Sequence, residues 1–431
     1  MKQILIAIFL VLGMSPAAQA VLTIEITQGL DGALPIAIMP FDVSGEVEVP
    51  EDVAGIVAAD LKRSGRFAPL GRDKLPEQTE TDFVFWRGMG IDHLVVGKVL
   101  PGKAEQYTVQ FQLFDVVKGQ QVAGYSMAAS ARHLRKLAHR ISDIVFEKLT
   151  GTPGAFDTKI AYVTVRSQEK AREYALAIAD ADGHNEQLVL KSKQPLMSPS
   201  WSPDGSRLAY VSFENGKPEI FIQDIRKGSR TKLTAYPGLN NAPVWSPDGK
   251  RMAMTLSRDG NAEIYVYHLD SNKLYRITQH YAIDTEPTWA PDASALVFTS
   301  DRGGRPQLYR VALDELGNRK GRPRRITYEG SYNSRASFSA DGRYLTFVHV
   351  RGGGFNIAVM DLQRGDIEVV ADTRLGESPS FAPNSAMVIY ASETGGRGVL
   401  EAVSVDGRAR QRLGLQAGDV REPAWSPYLD K

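Results

Sequence analysis

The 431-residue chain contains no cysteine. That absence excludes disulfide staples, thiol nucleophiles and cysteine-ligated metals, so stability has to come from packed cores. An excess of either charge is missing too. The 51 basic and 50 acidic residues leave a formal net charge of +1, which gives no bulk attraction to nucleic acid or anionic lipid. After the first 20 residues no run of 18 apolar residues occurs, so no spanning helix is expected and the mature chain reads as soluble. Nucleotide and acyl-transfer signatures are also absent: there is no G-x-x-x-x-G-K-[ST], no G-x-G-x-x-G and, in the mature chain, no G-x-S-x-G elbow. The seven histidines (His93, His133, His139, His184, His268, His280, His349) follow no metal-binding spacing and read as solvated surface. Asp180-Ala181-Asp182-Gly183 has the opening of a calcium loop without its remaining ligands, and reads as a hairpin turn. No catalytic residue, metal or cofactor is expected.

What is present begins with a leader. Lys2 is a basic start, residues 4–12 are apolar, and Ala18-Gln19-Ala20 is a small-x-small cleavage signature, so residues 1–20 read as a secretory signal peptide cut after Ala20. Val21 follows the cut where a lipid anchor would need cysteine. Val21, Leu22, Thr23, Ile24, Glu25, Ile26 and Thr27 then alternate apolar and polar, the period of a strand. Such a segment is either an edge strand of the first domain or a detachable arm, residues 21–32, that adds a strand to a partner.

Residues 33–153 carry the mixed pattern of a small α/β domain. Residues 35–41 (PIAIMPF) and 94–99 read as buried strands, 51–64 as an amphipathic helix, and 107–114 with 121–127 as a hairpin. A long helix through Leu149 is expected to be N-capped by Ser130. Gly151-Thr152-Pro153-Gly154 breaks it and marks the boundary.

Beyond residue 157 the helical period disappears and a repeat takes over. Its copies read PSWSPDG, PVWSPDG, PTWAPDA, ASFSADG, PSFAPNS and PAWSP, with the aromatics Trp201, Trp245, Trp289, Phe338, Phe381 and Trp425 spaced 44, 44, 49, 43 and 44 residues apart. A period of this size with four strand-sized segments per copy predicts a β-propeller. The last copy ends after one strand, while residues 159–190 supply three strands without a first. Joining the two closes a six-bladed ring over residues 157–431. The five extra residues of the Trp289 copy are assigned to a loop at 314–324. The aromatics are expected to form the core between blades, and Pro-Asp-Gly is turn chemistry rather than catalysis.

Loops leading into the innermost strands of a propeller surround one mouth of its channel. Here they are residues 194–199, 237–243, 280–287, 332–336, 374–379 and 419–423, rich in Asn, Ser, Asp, Glu and Gly, as adaptable contact loops are. Glu286, Glu377 and Glu422 are assigned to one repeat position just before the proline, which predicts an acidic ring or rim contacts for a basic partner. The competing reading is an exported propeller enzyme or small-ligand binder that uses the channel. It would need paired carboxylates converging there.

The leader, the PIAIMPF strand, the P-x-W-S-P-D-G repeats and the closing PAWSPYL together resemble the TolB family of the Tol–Pal envelope system of Gram-negative bacteria, over the whole chain. The resemblance implies a multidomain α/β and all-β protein: a small N-terminal α/β domain, then a six-bladed β-propeller closed between its N- and C-terminal strands. It implies a non-enzymatic periplasmic adaptor that supports outer-membrane integrity and envelope constriction during cell division. Its partners would be the peptidoglycan-associated lipoprotein Pal and the inner-membrane protein TolA, with room for other outer-membrane or peptidoglycan-linked proteins. By position, the Pal-facing mouth falls on Ser198, Asn240, Asn241, Ala242, Thr285, Glu286, Asn333, Ser334, Glu377, Ser378 and Glu422. The TolA-binding arm falls on Val21, Leu22, Thr23, Ile24, Glu25, Ile26 and Thr27.

Overall fold

The computed structural model describes residues 32–45, 48–77, 82–168, 171–414 and 418–429. The leader and the proposed arm at 21–27 lie outside the described residues.

The N-terminal domain contains β1 (Leu34–Ile38), β2 (Asp42–Val43), α1 (Val53–Arg63), β3 (Phe67–Pro69), α2 (Phe83–Gly88), β4 (His93–Pro101), β5 (Gln106–Asp115), β6 (Gln120–Ser130) and α3 (Leu134–Thr150). The sheet runs β3-β1-β4-β5-β6, with β2 added beside β4. β1 is parallel to both neighbours, whereas β4, β5 and β6 form an antiparallel meander. On β5, Tyr107, Val109, Phe111 and Leu113 alternate into the core formed with α1 and α3. The opposite face is closed around Trp86 of α2, buried with Met39 and Leu94. At six and three residues, α2 and β3 are too short to show a period, and the sequence reading misses them.

Helix ends follow side-chain chemistry. Asp52 caps α1, its Oδ1 accepting from the Gly55 N–H at 3.0 Å. Ser130 does not cap α3. It opens a short 3₁₀ turn, Ala131–His133, its hydroxyl lying 2.8 Å from His133 Nδ1. α3 stops at Gly151, whose φ of 74° is the left-handed cap that glycine adopts without strain.

Six four-stranded antiparallel sheets form the propeller. Asp419–Trp425, the innermost strand of the sixth blade, pairs with Lys159–Gln168, which leads to Ala171–Asp180 and Gln187–Ser192. The ring is thus closed by backbone hydrogen bonds between the two ends of the propeller chain. In the third blade the expected loop is largely a strand: Arg319–Arg325 pairs with Gln307–Leu313. An outermost strand needs only backbone partners, so its sequence RKGRPRR carries no apolar alternation.

Trp245, Trp289 and Phe381 are buried, and Trp201, Phe338 and Trp425 are half-buried. The indoles reach the preceding blade: Trp201 Nε1 donates to the Ala424 carbonyl at 3.0 Å and Trp289 Nε1 to the Val244 carbonyl at 3.2 Å. The repeat aromatic is therefore a joint between blades.

The N-terminal domain sits on the side of the propeller that carries the Pro-Asp-Gly turns. Asn384 Nδ2 donates to the Pro153 carbonyl at 3.1 Å, and Phe156 lies edge-on to Phe146 and beneath Arg63. Asp143 on α3 accepts from the backbone N–H of Phe156 at 2.7 Å and of Asp157 at 3.2 Å, which holds the linker against the helix. The loops leading into the innermost strands face the other way.

Candidate functional site

Every innermost strand of the propeller bulges at the same place. Register shifts fall between Met197 and Ser200, Asn241 and Val244, Thr285 and Thr288, Ser334 and Ser337, Glu377 and Ser380, and Arg421 and Ala424. In each bulge one non-glycine residue is left-handed: Ser198 (φ 51°), Ala242 (47°), Glu286 (55°), Arg335 (53°), Ser378 (50°) and Glu422 (53°). A bulge re-aims its side chain, and these six residues line the central channel together. Strained backbone repeated six times at one radius marks the channel wall as a built feature.

The ring differs from the expected acidic one. Glu377 stands one position earlier, level with Thr285 and Asn241, and Ser378 occupies the ring position before the proline. The fourth blade contributes Arg335, which the sequence reading misses. Counting three residues back from each aromatic would have placed it beside Glu286 and Glu422. Arg335 Nε donates to Glu286 Oε1 at 2.9 Å, its Nη2 to Glu422 Oε1 at 3.4 Å, and its Nη1 to the Ser378 hydroxyl. Burial works against the guanidinium charge, but Glu422, Glu286 and Glu377 outweigh it and hold the proton on. Glu286 Oε2 also accepts from Thr299 Oγ1 at 2.9 Å, and Glu422 Oε2 from the Ser198 N–H at 2.9 Å. Both ring carboxylates are committed, so the ring presents no acid–base pair of the kind the competing enzyme reading needs.

Arg335 and Glu422 form a waist in the channel. A cavity of about 330 Å³ opens toward the turn side, lined by Trp201, Pro203 and Pro427. A second, of about 370 Å³, opens toward the entrance loops between Met197, Glu377 and Arg421. Glu377 lies beside the waist, where burial and then Glu422 push its carboxyl up.

Around the entrance the candidate contact residues divide by burial. Asn240, Asn333 and Ser334 are buried. Asn240 Nδ2 donates to the Tyr236 carbonyl at 2.7 Å, and Asn333 Nδ2 donates to the Glu329 carbonyl at 2.8 Å and to Gln307 Oε1 at 2.7 Å. The two asparagine side chains hold loop shape. Ser198, Asn241, Ala242, Thr285, Glu286, Glu377, Ser378 and Glu422 keep partial exposure. Outside them stand apolar groups that the sequence reading misses. Five of the eight exposed large apolar side chains described in the propeller are on this face: Tyr281 (87 % exposed), Ile283 (54 %), Tyr328 (73 %), Phe355 and Leu375, against Leu188, Leu316 and Val369 elsewhere. Tyr332 lies edge-on to Phe355, which forms a bridge to Leu375, so the fourth and fifth blades share an apolar ledge.

Two histidines expected at the surface are buried, His139 (2 % exposed) and His349 (1 %). His349 Nδ1 is 2.7 Å from Asn333 Oδ1, and His139 joins Asp60 and Asp182 at the seam between the domains. Among the described residues, this trio is where metal-type donors come closest together. Arg63 already pairs with Asp60 and Arg135 with Asp182, which leaves no net negative charge for a cation. No helix among the described residues is long and apolar enough to cross a membrane.

Comparison with known proteins agrees with this architecture. Residues 22–122 match the TolB amino-terminal domain family and residues 146–429 the TolB beta propeller domain family. The Tol-Pal system protein TolB of Thioalkalivibrio sulfidiphilus is 54% identical over 419 residues, which is 96% of this chain and 95% of the relative. The protein of the same name from Nitrosococcus oceani is 54% identical over 428 residues, 98% and 97% of the two chains. Among solved structures, TolB from Acinetobacter baumannii superposes with a TM-score of 0.86 at 40% identity, covering 94% of this chain and 100% of that one.

Proposed function

The chain belongs to the TolB family, and on that premise we propose that it is an adaptor of the periplasm that binds Pal at the propeller entrance and TolA through residues 21–27. It is a non-enzymatic component of the Tol–Pal system. The observation that carries the Pal reading is the entrance face itself. Exposed apolar side chains at Tyr281, Ile283, Tyr328, Phe355 and Leu375 surround a polar funnel that ends at the Arg335 waist. Apolar anchors around a polar centre suit a protein surface better than a small ligand. Ser198, Asn241, Ala242, Thr285, Glu286, Glu377, Ser378 and Glu422 form the funnel, and Asn240, Asn333 and Ser334 shape it. Export by the leader, cleavage after Ala20, and a role in outer-membrane integrity during division belong to the same proposal.

Calorimetric titration of the purified mature chain with soluble Pal tests it. Specific binding that weakens when Thr285 and Glu286 are changed to Ala supports the entrance as the Pal site. Deleting residues 21–27 should abolish TolA binding and leave the propeller folded. Absence of Pal binding at high micromolar concentration would sink the reading.

A further inference from the structure

The seam between the two domains holds a charge cluster that the partner reading does not use. α1 supplies Asp60 and Arg63, α3 supplies Arg135 and His139, and the turn of the closing blade supplies Asp182 and His184. His139 Nδ1 lies 2.7 Å from Asp60 Oδ2. Its Nε2 lies 3.6 Å from Asp182 Oδ2 and has no hydrogen-bond partner. Arg63 pairs with Asp60 at 3.0 Å on the domain side. Across the seam Arg135 of α3 pairs with Asp182 and lies 2.9 Å from His184 Nδ1, and within its own domain it reaches Glu51 at 3.7 Å. One helical turn along α3, Asp143 faces the linker, and Ser142 bonds only its own helix. The imidazole thus stands between two carboxylates, one from each domain, that are each already paired with an arginine.

The state of the ring decides what this arrangement does. A protonated imidazole has two N–H groups, one donated to Asp60 and the other facing Asp182 across the seam. A neutral imidazole keeps one N–H, which stays with the closer Asp60, and turns a lone pair toward the Asp182 carboxylate. An attraction across the seam then becomes a repulsion.

We propose that His139 is a proton-operated clasp between the domains: protonated, it ties α1 and α3 to the turn of the closing blade, and deprotonation releases that tie, leaving the Arg135–Asp182 pair as the contact about which the domain tilts on the propeller.

The local charges point the same way. Burial alone would discharge the ring, and Arg63 also works against the charge. Asp60, by charge and hydrogen bond, and Asp182 outweigh both and raise its pKa above the ordinary 6.5. A raised folded value means that the stabilising contribution is complete below the unfolded pKa and is lost as pH rises through the folded one. The clasp therefore holds below the ordinary histidine range and opens as pH rises through the raised folded value. Burial also opposes the charge on Asp182, but His184, Arg63, His139 and Arg135 overcome it, so the carboxylate stays ionised throughout. Away from the cluster, the described contacts across the seam are mainly the apolar packing of Ala155 and Phe156 near Met387 and Trp425, and the Asn384–Pro153 hydrogen bond.

Because the chain lacks cysteine, Gln120→Cys on β6 with Gln363→Cys on the fourth blade gives one clean pair of spin labels on the mature chain. Pulsed electron paramagnetic resonance between about pH 5 and pH 9 then reads the distance between the domains. The clasp predicts one narrow distance at low pH and a second population that grows as pH rises, with a single-proton midpoint above the ordinary histidine value. His139→Gln, which can still donate to Asp60 but does not titrate, should lose that pH dependence. Asp182→Asn should show the second population already at low pH. A distribution that does not change with pH, or the same pH dependence in His139→Gln, would overturn the proposal. Should His139→Gln fail to fold, the ring of His139 can be titrated by NMR in the native chain. A distance midpoint that does not coincide with that titration overturns the proposal equally. No arm of the experiment uses Pal or TolA, so its failure is distinct from failure of the partner reading.

Discussion

The guanidinium of Arg207, in the first blade, lies over the indole of Trp245 in the second, with its central carbon 4.5 Å from the ring centroid. The pairing recurs one blade further on, where Arg251 lies 5.1 Å above Trp289. A cation over an aromatic face adds about 0.5–2 kcal/mol to the burial of the ring. The two indoles differ in one respect: Trp289 Nε1 has the Val244 carbonyl as acceptor, whereas Trp245 Nε1 is buried without one.

Truncation of either ring should open a cavity between blades. Trp245→Ala is expected to cost about 3–5 kcal/mol in urea unfolding. The phenylalanine variants should separate. Trp289→Phe removes a hydrogen bond that Trp245 does not make, so it should cost about 1 kcal/mol more than Trp245→Phe. Equal or reversed costs would contradict the assignment of the Trp289 hydrogen bond.

At the channel waist, Arg335 ties the fourth blade to Glu286, Ser378 and Glu422 of three others. Arg335→Ala should destabilise the propeller by about 1–3 kcal/mol, because two carboxylates lose their counter-charge. Arg335→Lys should recover little, since one ammonium cannot match the fork of the guanidinium. Full rescue by lysine in denaturant melts would show that charge alone matters there.

Asp143 titrates out of its usual range. Burial raises its pKa to about 7, against the lowering effect of the Phe156 and Asp157 N–H groups. The raised folded value means that its contribution is present below the unfolded pKa and is lost as pH climbs toward 7. Asp143→Asn should flatten the stability profile across that window, by roughly 2–4 kcal/mol between its ends. Parallel profiles for the two proteins would show that the carboxyl does not titrate there.

Tyr281 and Ile283 stand out at the entrance without supporting the core. Tyr281→Ser with Ile283→Ser should leave the melting midpoint almost unchanged, within about 0.5 kcal/mol. The same pair should weaken Pal binding about tenfold or more, equivalent to about 1.4 kcal/mol or more. Undiminished binding in calorimetry would move the contact away from the third blade.

Much of the architecture was legible from one dimension. The interval between Trp201, Trp245 and Trp289 is set by the length of four short strands and their turns, so it survives any change in loop chemistry. The unpaired strand before Lys431 and the unpaired three after residue 157 each lack what the other has. The site was less legible. Glu377 and Glu286 look equivalent in a motif scan, yet one residue of register separates them, and a strand reverses its side-chain direction with each residue. Arg335 shows how an offset measured from the aromatic is a better guide than the proline, which the fourth blade lacks.

The sequence by itself determined what short-range chemistry and periodicity control: the leader-like start, the α/β pattern of the first domain, the six aromatic joints and the turns that follow them. Each depends on residues that are neighbours in the chain or on an interval that repeats. The tertiary structure alone decided which distant groups meet. Asp60 lies 79 residues from His139, and Asp182 comes from the other domain. The pairing of Arg335 with Glu286 spans 49 residues. No local pattern encodes such encounters, because helix packing, ring closure and domain docking are what bring those side chains together. The charge cluster around His139, the neutralised ring and the apolar ledge at the entrance are consequences of that assembly.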